Sequence, residues 1–473
     1  MPVPGATPPR AATLGEIDRF ARPAPLTPST WDYYINTDLA RDNTGVSKMI
    51  KKLRNAHTDG RRVHFIFAGH SGCGKSTEMV RVRLQVEDLY DIQACDVTSR
   101  LSLAQVDYRQ IIFLLANELV EHARSVGAEL ERETVEGLLN WFDEVTIKEV
   151  NERSYQLEAE AGGRVMVKTD AGIPLVLKMV GELFARFSGK IKSGGGTKET
   201  ATRHIEQRLD SLMKFMTLVA DAIEAKIKPR RLLLVVENLD KIDDAALAKE
   251  IFFHHHELLV GLPFSVVFTF PIVLWYESEN GVARYQDHHL LPMISIRTAP
   301  PSHDFTIEQR EQHAKIGRQT LRDLVHRRIE PALIAADALD LAIDKSGGVI
   351  RDLLFMLREA ALDAEDQGEQ IELAHVQRAA RTLRNDYRSK LGPRADSTAV
   401  TAVDIDDALG DPADWPRRAI AQTPAFRQLL QGLCILEYNG DVWYDLHPAV
   451  RDYLGIKLDE ERRRPTAATP KAT

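Results

Sequence analysis

A stretch of nine residues constrains the fold of this chain more than any other feature. It consists of Gly69, His70, Ser71, Gly72, Cys73, Gly74, Lys75, Ser76 and Thr77. The stretch fits the phosphate-binding pattern G-x-x-x-x-G-K-[ST] at every fixed position. An apolar run at 63–68 predicts a buried strand before it, and residues 76–84 predict a helix after it. This order directs backbone N–H groups and the positive end of a helix dipole toward a polyphosphate. The sequence therefore predicts a site for a nucleoside triphosphate.

Two side chains of this loop have specific expected roles. Lys75 can reach the outer phosphates, and the hydroxyl of Ser76 can enter the coordination shell of a magnesium ion. A phosphate loop also needs an acidic group at the end of a neighbouring strand. The continuous apolar run 232–236 is typical of a parallel strand that is covered on both faces. It leads into Glu237, with Asp240 a little further on, which predicts a Walker B element with Glu237 at the metal.

The residue after Glu237 is Asn238, where a carboxylate that polarises the attacking water is expected. Asparagine cannot accept a proton, so Asn238 could orient a water but could not act as a base. Asp240 could take that role if the turn brings its carboxylate toward the γ-phosphate. The alternative is that hydrolysis is slow and that the nucleotide acts mainly as a switch. The sequence favours slow hydrolysis over none.

Two later segments supply further candidates. Thr269 comes at the end of the apolar run 264–270, where its hydroxyl could sense the γ-phosphate or position a water, or could simply satisfy the strand end. Arg351 lies one turn into a predicted helix that follows two glycines. Such an arginine can reach the β- and γ-phosphates from a helical lid. Its alternative role is an ion pair with Asp352 or Glu359.

Taken together, these motifs resemble those of AAA+ ATPases, nearest to the origin-recognition ATPases and the related STAND signalling ATPases. Residues 69–78, 236–241 and 268–272 are similar to a group of bacterial ATPases found in defence or conflict gene clusters. The resemblance covers about residues 30–455 and implies ATP with Mg²⁺ as the ligands. It implies that Lys75 and Ser76 contact the nucleotide and the metal and that Glu237 is the Walker B acid. It further implies that Thr269 is sensor 1 and Arg351 is sensor 2. The Glu237–Asn238 pair and the long predicted insert depart from the family pattern.

The C-terminal region predicts a helix followed by a β-hairpin. A helical pattern over 424–431 ends at Gly432, and two apolar runs then flank Asn439-Gly440, a strong signal for a tight turn. This order resembles the winged helix that origin-recognition ATPases carry after their lid. The region has few of the basic residues that phosphate contacts need, so packing on the lid or on a partner is favoured over DNA binding. A basic stripe just upstream is either a solvated face or a contact surface, and consists of Arg378, Arg381, Arg384 and Arg388.

Composition limits the class of protein. The 473 residues carry a net charge of −8, which argues against a protein that coats nucleic acid. The three cysteines are far apart, and no apolar run approaches the ~20 residues of a membrane span, so a cytoplasmic location is predicted. The predicted fold is α/β, a parallel sheet flanked by helices. The predicted regions are a disordered Pro-rich arm (1–30), an ATPase core (31–300) with a helical insert (103–226), a helical lid (301–391), a winged-helix-like module (392–457) and a disordered tail (458–473).

Three functional hypotheses follow. The first is an ATP-binding, slowly hydrolysing switch that controls a protein effector or its own assembly; a role in antiviral defence or signalling follows from the resemblance only. The second is an ATP-dependent DNA-binding adaptor or initiator that uses the winged helix. The third is a scaffold that keeps its nucleotide without hydrolysing it.

Arg284 and Arg297 are candidate arginine fingers for a neighbouring subunit. The adjacent residues His254, His255 and His256 predict a helix surface rather than a metal site.

Overall fold

The structure is a computed structural model that describes residues 8–128, 203, 205–277, 281–299, 306–366, 368, 370–391, 424–438 and 443–463. The central part of the predicted insert therefore lies outside the described residues. So do the first part of the predicted C-terminal module, the turn of its hairpin and the end of the predicted tail. Within the described part of the chain, no helix is both long enough and apolar enough to cross a membrane.

A five-stranded parallel sheet forms the centre of the fold, with the strand order β2-β3-β4-β1-β5. The strands are β1 (His64–Gly69), β2 (Tyr90–Asp96), β3 (Arg231–Glu237), β4 (Ser265–Phe270) and β5 (Asp287–Leu291). Every residue of β4 is buried, as expected of a central strand that helices cover on both faces. Because β4 separates β1 from β3, the carboxyl ends of these three strands lie side by side. The predicted α/β class with a parallel, helix-flanked sheet is confirmed.

The edge strand differs from the sequence expectation. The run Ile294-Ser295-Ile296 predicts a short strand from its apolar residues, whereas the structure forms β5 from the sequence Asp-His-His-Leu-Leu at 287–291. Among the described residues, β5 pairs with β1 alone and forms one edge of the sheet. Polar side chains are tolerated at such an edge, and the apolar pattern that marks the inner strands is therefore missing.

The chain up to Trp275 supplies the helices that flank this sheet, together with a short first helix that packs on the helical region described below. They are α1 (Ile17–Phe20), α2 (Gly45–Thr58), α3 (Lys75–Val86), α4 (Tyr108–Val126), α5 (Leu209–Ile227), α6 (Ala245–Lys249), α7 (His256–Val260) and α8 (Ile272–Trp275). The two described ends of the predicted insert, α4 and α5, pack against each other. The side chain of Asp107 caps α4 by accepting a hydrogen bond from the N–H of Gln110, and Gly127 ends it with φ 64°.

A helical region follows the sheet, as the sequence predicts. It contains α9 (Ile307–His326), α10 (Ala336–Ser346), α11 (Ile350–Glu365) and α12 (Leu373–Leu391). Thr306 and Gln309 form a capping box at the start of α9. Gly347 (φ 61°) ends α10, and Gly348 (φ 87°) packs against the core so closely that an added Cβ would lie 2.1 Å from the carbonyl oxygen of Ile294. These glycines fix the angle at which α11 begins.

The C-terminal region contains α13 (Pro424–Gln431), β6 (Ile435–Tyr438), β7 (Trp443–Leu446) and α14 (Pro448–Arg463). The two strands pair in an antiparallel hairpin with Tyr438 opposite Trp443, which confirms the predicted hairpin. The predicted tail is wrong over 458–463, because α14 continues to Arg463.

The N-terminal residues are also more ordered than the Pro-rich sequence predicts. We call residues 8–35 the strap. Four of its apolar residues, Ala11, Leu14, Ile17 and Ala21, are buried, and Asp18 pairs with Arg358 of α11. At its other end the N–H of Leu26 donates to Thr77 Oγ1 of α3 at 3.3 Å. The prediction of a disordered arm over 1–30 is therefore wrong from residue 8 onward, because these few apolar residues are enough to anchor the strap across two regions.

Candidate functional site

The glycine loop between β1 and α3 has the backbone geometry of an anion-binding nest. Gly69, Gly72 and Gly74 have φ values of 153°, 77° and 105°, which side chains with a Cβ rarely adopt. Helix α3 begins at Lys75, directly after the loop, so its first N–H groups face the same side. Left-handed residues spaced along a short loop turn neighbouring N–H groups toward one point and form a concavity that suits an anion.

Lys75 lies inside this loop with its ammonium group fully engaged. Its Nζ donates to the carbonyl oxygens of Gly69 (2.7 Å) and His70 (2.9 Å), and it lies 2.7 Å from Oδ2 of Asp240. The side chains of Lys75 and Asp240 are 7% and 10% exposed. Burial works against the charged form, but the carboxylate of Asp240 outweighs it, and the pKa of Lys75 lies above its ordinary value.

The polar side chains at the end of β3 and in the turn after it have two different sets of partners. Glu237 pairs in register with Asp96 at the end of β2, and Asn238 (φ 71°) donates from Nδ2 to Asp96 Oδ1 at 2.6 Å. Burial raises the pKa of Glu237, and the charges of Asp96 and Asp240 raise it further. The structure therefore brings Asp240 to Lys75, while Glu237, which the sequence predicts at the metal, lies beside Asp96.

Thr269 connects the ends of two strands. Its hydroxyl donates to the carbonyl oxygen of Val236 at 3.1 Å and accepts from the N–H of Leu239 at 3.1 Å. Thr269 is 4% exposed, and these bonds hold the turn that carries Asn238 and Asp240. Its observed contacts satisfy the neighbouring strand end, one of the two roles that the sequence left open, while the residue also contributes to the wall of the cavity described below.

Arg351 reaches the glycine loop from α11. Its Nη1 donates to Ser71 Oγ at 3.2 Å, and an added Cβ on Gly72 would lie 2.9 Å from its Nε. The alternative partner, Asp352, is 3.9 Å away at its nearest carboxylate oxygen. The first helical turn of α11 therefore lies directly over the loop.

These elements enclose a cavity of about 280 Å³, close to the lower end of the ~300–1,000 Å³ typical of small-molecule pockets. One wall is the loop and the start of α3, and a second is the turn after β3. A third wall comes from the helical region, and includes Leu324, Arg328, Ile350, Arg351 and Leu354. The strap supplies the fourth wall, with Pro23, Ala24, Pro25, Leu26, Tyr33, Tyr34 and Ile35. The strap could not be predicted as part of the site, because its residues match no motif.

The residue types around the cavity fit a nucleotide with a hard cation. The amide nest, Lys75 and Arg351 suit phosphates, and the proline and tyrosine wall suits a flat base. The Ser76 hydroxyl and the Asp240 carboxylate line the cavity and provide the oxygen ligands that Mg²⁺ prefers, whereas Glu237 is not among the lining residues. In the described residues, no cluster of three or more His, Cys, Asp or Glu side chains could hold a metal by itself.

The C-terminal hairpin contacts the glycine loop and α11. The N–H of Glu437 on β6 donates to Nε2 of His70 at 3.0 Å. Next to Arg351, Asp352 accepts a hydrogen bond from the Tyr387 hydroxyl at 2.6 Å and lies 3.2 Å from Nε2 of His447. Burial opposes the charge of Asp352, but these two partners outweigh it and hold the pKa of Asp352 below its ordinary value.

The remaining sequence candidates have contacts within the chain. Arg284 Nη1 donates to the carbonyl oxygen of Phe253 at 2.8 Å, and Arg297 pairs with Asp445 at 2.8 Å. In the basic stripe of α12, Arg378 pairs with Asp363, and Arg388 lies over the ring of Tyr453. His254 and His255 both contact Glu250, whereas His256 contacts a backbone carbonyl oxygen.

Comparison of the chain with protein-family models finds no matching family, and comparison with curated proteins finds no match. Function is therefore argued from the geometry of the site.

Proposed function

We propose that this chain binds ATP with Mg²⁺ and acts as a nucleotide-dependent switch of the AAA+/STAND type, which controls a protein effector or its own assembly. The observation that carries the proposal is the convergence of groups from separate elements on one cavity. Lys75, Asp240 and Arg351 come from α3, the turn after β3 and α11, and they surround the amide nest of the glycine loop. A triphosphate is the ligand whose charge and length use all of these groups at once.

Each residue has a role in this proposal. Lys75 exchanges part of its contact with Asp240 for phosphate oxygens, and Ser76 and Asp240 or Glu237 offer oxygen ligands to the metal. When held by these residues, Mg²⁺ would supply a Lewis acid that offsets the negative charge of the phosphates. Asn238 is engaged by Asp96 and cannot accept a proton, which supports slow hydrolysis. These groups hold a nucleotide better than they activate a water.

The switch role is supported by the way the helical region and the hairpin meet the loop. In the proposed family, these regions correspond to a lid and a winged helix. Arg351 contacts Ser71 of the loop, and the neighbouring Asp352 contacts His447 just after the hairpin. His70 of the loop itself accepts a hydrogen bond from β6. A nucleotide that displaces the loop or Arg351 would therefore alter contacts of the C-terminal region directly.

The burial and pairing of residues in the C-terminal helix and hairpin disfavour the DNA-binding hypothesis. All residues of β6 are buried, and Arg427, the basic residue of α13, is paired with Glu277. Exposed cations that could bind phosphates are therefore few on the described part of this helix and hairpin. The scaffold hypothesis differs from the switch only in whether turnover or assembly follows binding, so experiment must separate the two.

The test measures ATP binding by titration calorimetry with Mg²⁺, together with phosphate release and oligomeric state by light scattering. Lys75→Ala should abolish saturable ATP binding. ATP at 100 times its Kd should raise the unfolding free energy of the wild type by about 2.7 kcal/mol and leave that of the variant unchanged. Absence of ATP binding to the wild type would refute the proposal. Binding without any turnover or change of assembly would leave the scaffold in place of the switch.

A further inference from the structure

A buried cation that belongs to no recognised motif contacts the glycine loop. Arg41 lies between the strap and α2 and is 2% exposed. Its Nε donates to Thr37 Oγ1 at 2.9 Å, and its Nη2 donates to the carbonyl oxygen of Cys73 at 2.5 Å. Its Nη1 donates to the carbonyl oxygen of Pro292, just after β5. One guanidinium group therefore joins the segment before α2, the segment after β5 and the glycine loop.

The contact with Cys73 fixes the direction of one peptide group of the loop. In a trans peptide unit, the C=O and the following N–H point in opposite directions. Because Arg41 draws the carbonyl oxygen of Cys73 to its own side, the N–H of Gly74 is directed to the other side. Gly74 has φ 105° and precedes the first residue of α3, where a free N–H contributes to an anion nest.

Another cation holds two further carbonyl groups of the same loop. The ammonium group of Lys75 donates hydrogen bonds to the carbonyl oxygens of Gly69 and His70 at 2.7 and 2.9 Å. Arg41 and Lys75 thus hold the carbonyl oxygens at both ends of the loop. A carbonyl oxygen that turned into the nest would repel phosphate, so a group that restrains it keeps the nest ready for an anion.

We propose that Arg41 is a positioning residue of the phosphate-binding loop, whose guanidinium holds the Cys73 carbonyl so that the loop amides are set in advance for the β-phosphate of a nucleotide. The inference rests on the proposed nucleotide-binding function and deepens it. Arg41 acts through the loop rather than by its charge alone. Its three acceptors lie on three different segments, and the rigid fork of a guanidinium reaches all of them, whereas the ammonium of lysine is a single point.

Arg81 provides a matched control. It donates to both carboxylate oxygens of Asp38 at 2.7 and 2.9 Å and to Glu78 at 3.2 Å. The charge of Arg41 also acts on Asp38 and Glu78, so both arginines serve the same carboxylate cluster. The hydrogen bonds found for Arg81 in the described residues include none to the glycine loop. Arg41→Lys and Arg81→Lys therefore disturb the same charge cluster, but only the first changes the support of the loop.

The experiment compares ATP, ADP and AMP binding by titration calorimetry for the wild type, Arg41→Lys and Arg81→Lys, with the thermal unfolding of each. AMP lacks the β-phosphate that the loop amides cradle. Arg41→Lys should lose about 10- to 100-fold in affinity for ATP and ADP, by analogy with the loss of a partner that orients metal ligands. Its affinity for AMP should stay unchanged. Arg81→Lys should keep the wild-type ratio of ATP to AMP affinity.

The inference is overturned if Arg41→Lys keeps the wild-type ratio of ATP to AMP affinity, or if Arg81→Lys loses that ratio to the same extent. In both cases the proposed function stands, because the wild type still binds ATP. Failure of the wild type to bind any of the nucleotides would instead refute the proposed function. Should Arg41→Lys not fold, Thr37→Val replaces it: the loss of the acceptor of Nε leaves the guanidinium less firmly oriented toward the Cys73 carbonyl, so a smaller loss of ATP and ADP affinity with unchanged AMP affinity is expected, and an unchanged ratio of ATP to AMP affinity would overturn the inference.

Discussion

Replacement of Asp240 by asparagine separates the roles of the two carboxylates at the end of β3. Asp240 is the ion-pair partner of Lys75 at 2.7 Å, and both side chains are at least nine-tenths buried. Breaking a buried pair from one side costs about 3–5 kcal/mol. Lys75 would keep its bonds to the carbonyl oxygens of Gly69 and His70, so we expect a loss of about 3 kcal/mol in the free energy of unfolding.

Saturating ATP without Mg²⁺ should narrow the difference in unfolding free energy between Asp240→Asn and the wild type, because phosphate oxygens then neutralise Lys75 in place of the lost carboxylate. Chemical unfolding of both proteins, each with and without ATP in the absence of Mg²⁺, measures both effects. The control is Glu237→Gln, which removes the same charge from a group whose pKa is already raised by burial and which has no bond to Lys75. Equal losses for the two variants, or a gap that ATP leaves unchanged, would refute the assignment of Asp240 as the partner of Lys75.

Three further predictions concern other parts of the fold. Thr269→Val should cost about 1–3 kcal/mol of stability, since the buried N–H of Leu239 loses its acceptor, and equilibrium unfolding measures this. Burial raises the pKa of Glu437 to about 8, so its neutral form stabilises the fold at low pH, and this contribution is lost as the pH rises toward 8. The unfolding temperature of the wild type should therefore decline between about pH 4.5 and 8, and Glu437→Gln should flatten that decline. An unchanged pH profile of the unfolding temperature in the variant would contradict this prediction. Gly317→Ala should unfold far more easily than wild type, because its Cβ would lie 1.8 Å from a backbone carbonyl oxygen, whereas Gly455→Ala, with open space around it, should melt at or above the wild-type temperature.

The parts of the fold with strong local signals could be predicted from the sequence. The glycine loop, the apolar strands β1, β3 and β4 and the helices of the C-terminal half follow from patterns within short windows. The hairpin could be predicted for the same reason, because its two apolar runs lie on either side of Asn439-Gly440. The edge strand β5 could not, since its sequence carries no apolar alternation and its pairing with β1 is decided by the sheet.

The candidate site could be predicted only where a motif names its residues. Lys75 and Arg351 lie at the cavity as expected, but the choice of Asp240 over Glu237 as the partner of Lys75 depends on how the turn after β3 is bent. That bend depends on Thr269 and on the φ of Asn238, neither of which a strand pattern reveals. Arg41 was missed because its acceptors are mainly backbone carbonyls, distant in sequence, which no composition rule encodes.

The path of the strap has a consequence for the order in which the chain can fold during synthesis. The strap supplies one wall of the cavity, and its Asp18 pairs with Arg358, which is 340 positions further along the chain. Contacts at such separation form late, because the intervening chain must be made and the loop closed first. A nascent chain would therefore expose a complete glycine loop long before the cavity has its walls, and the proposed binding of a nucleotide would begin as one of the last steps of maturation.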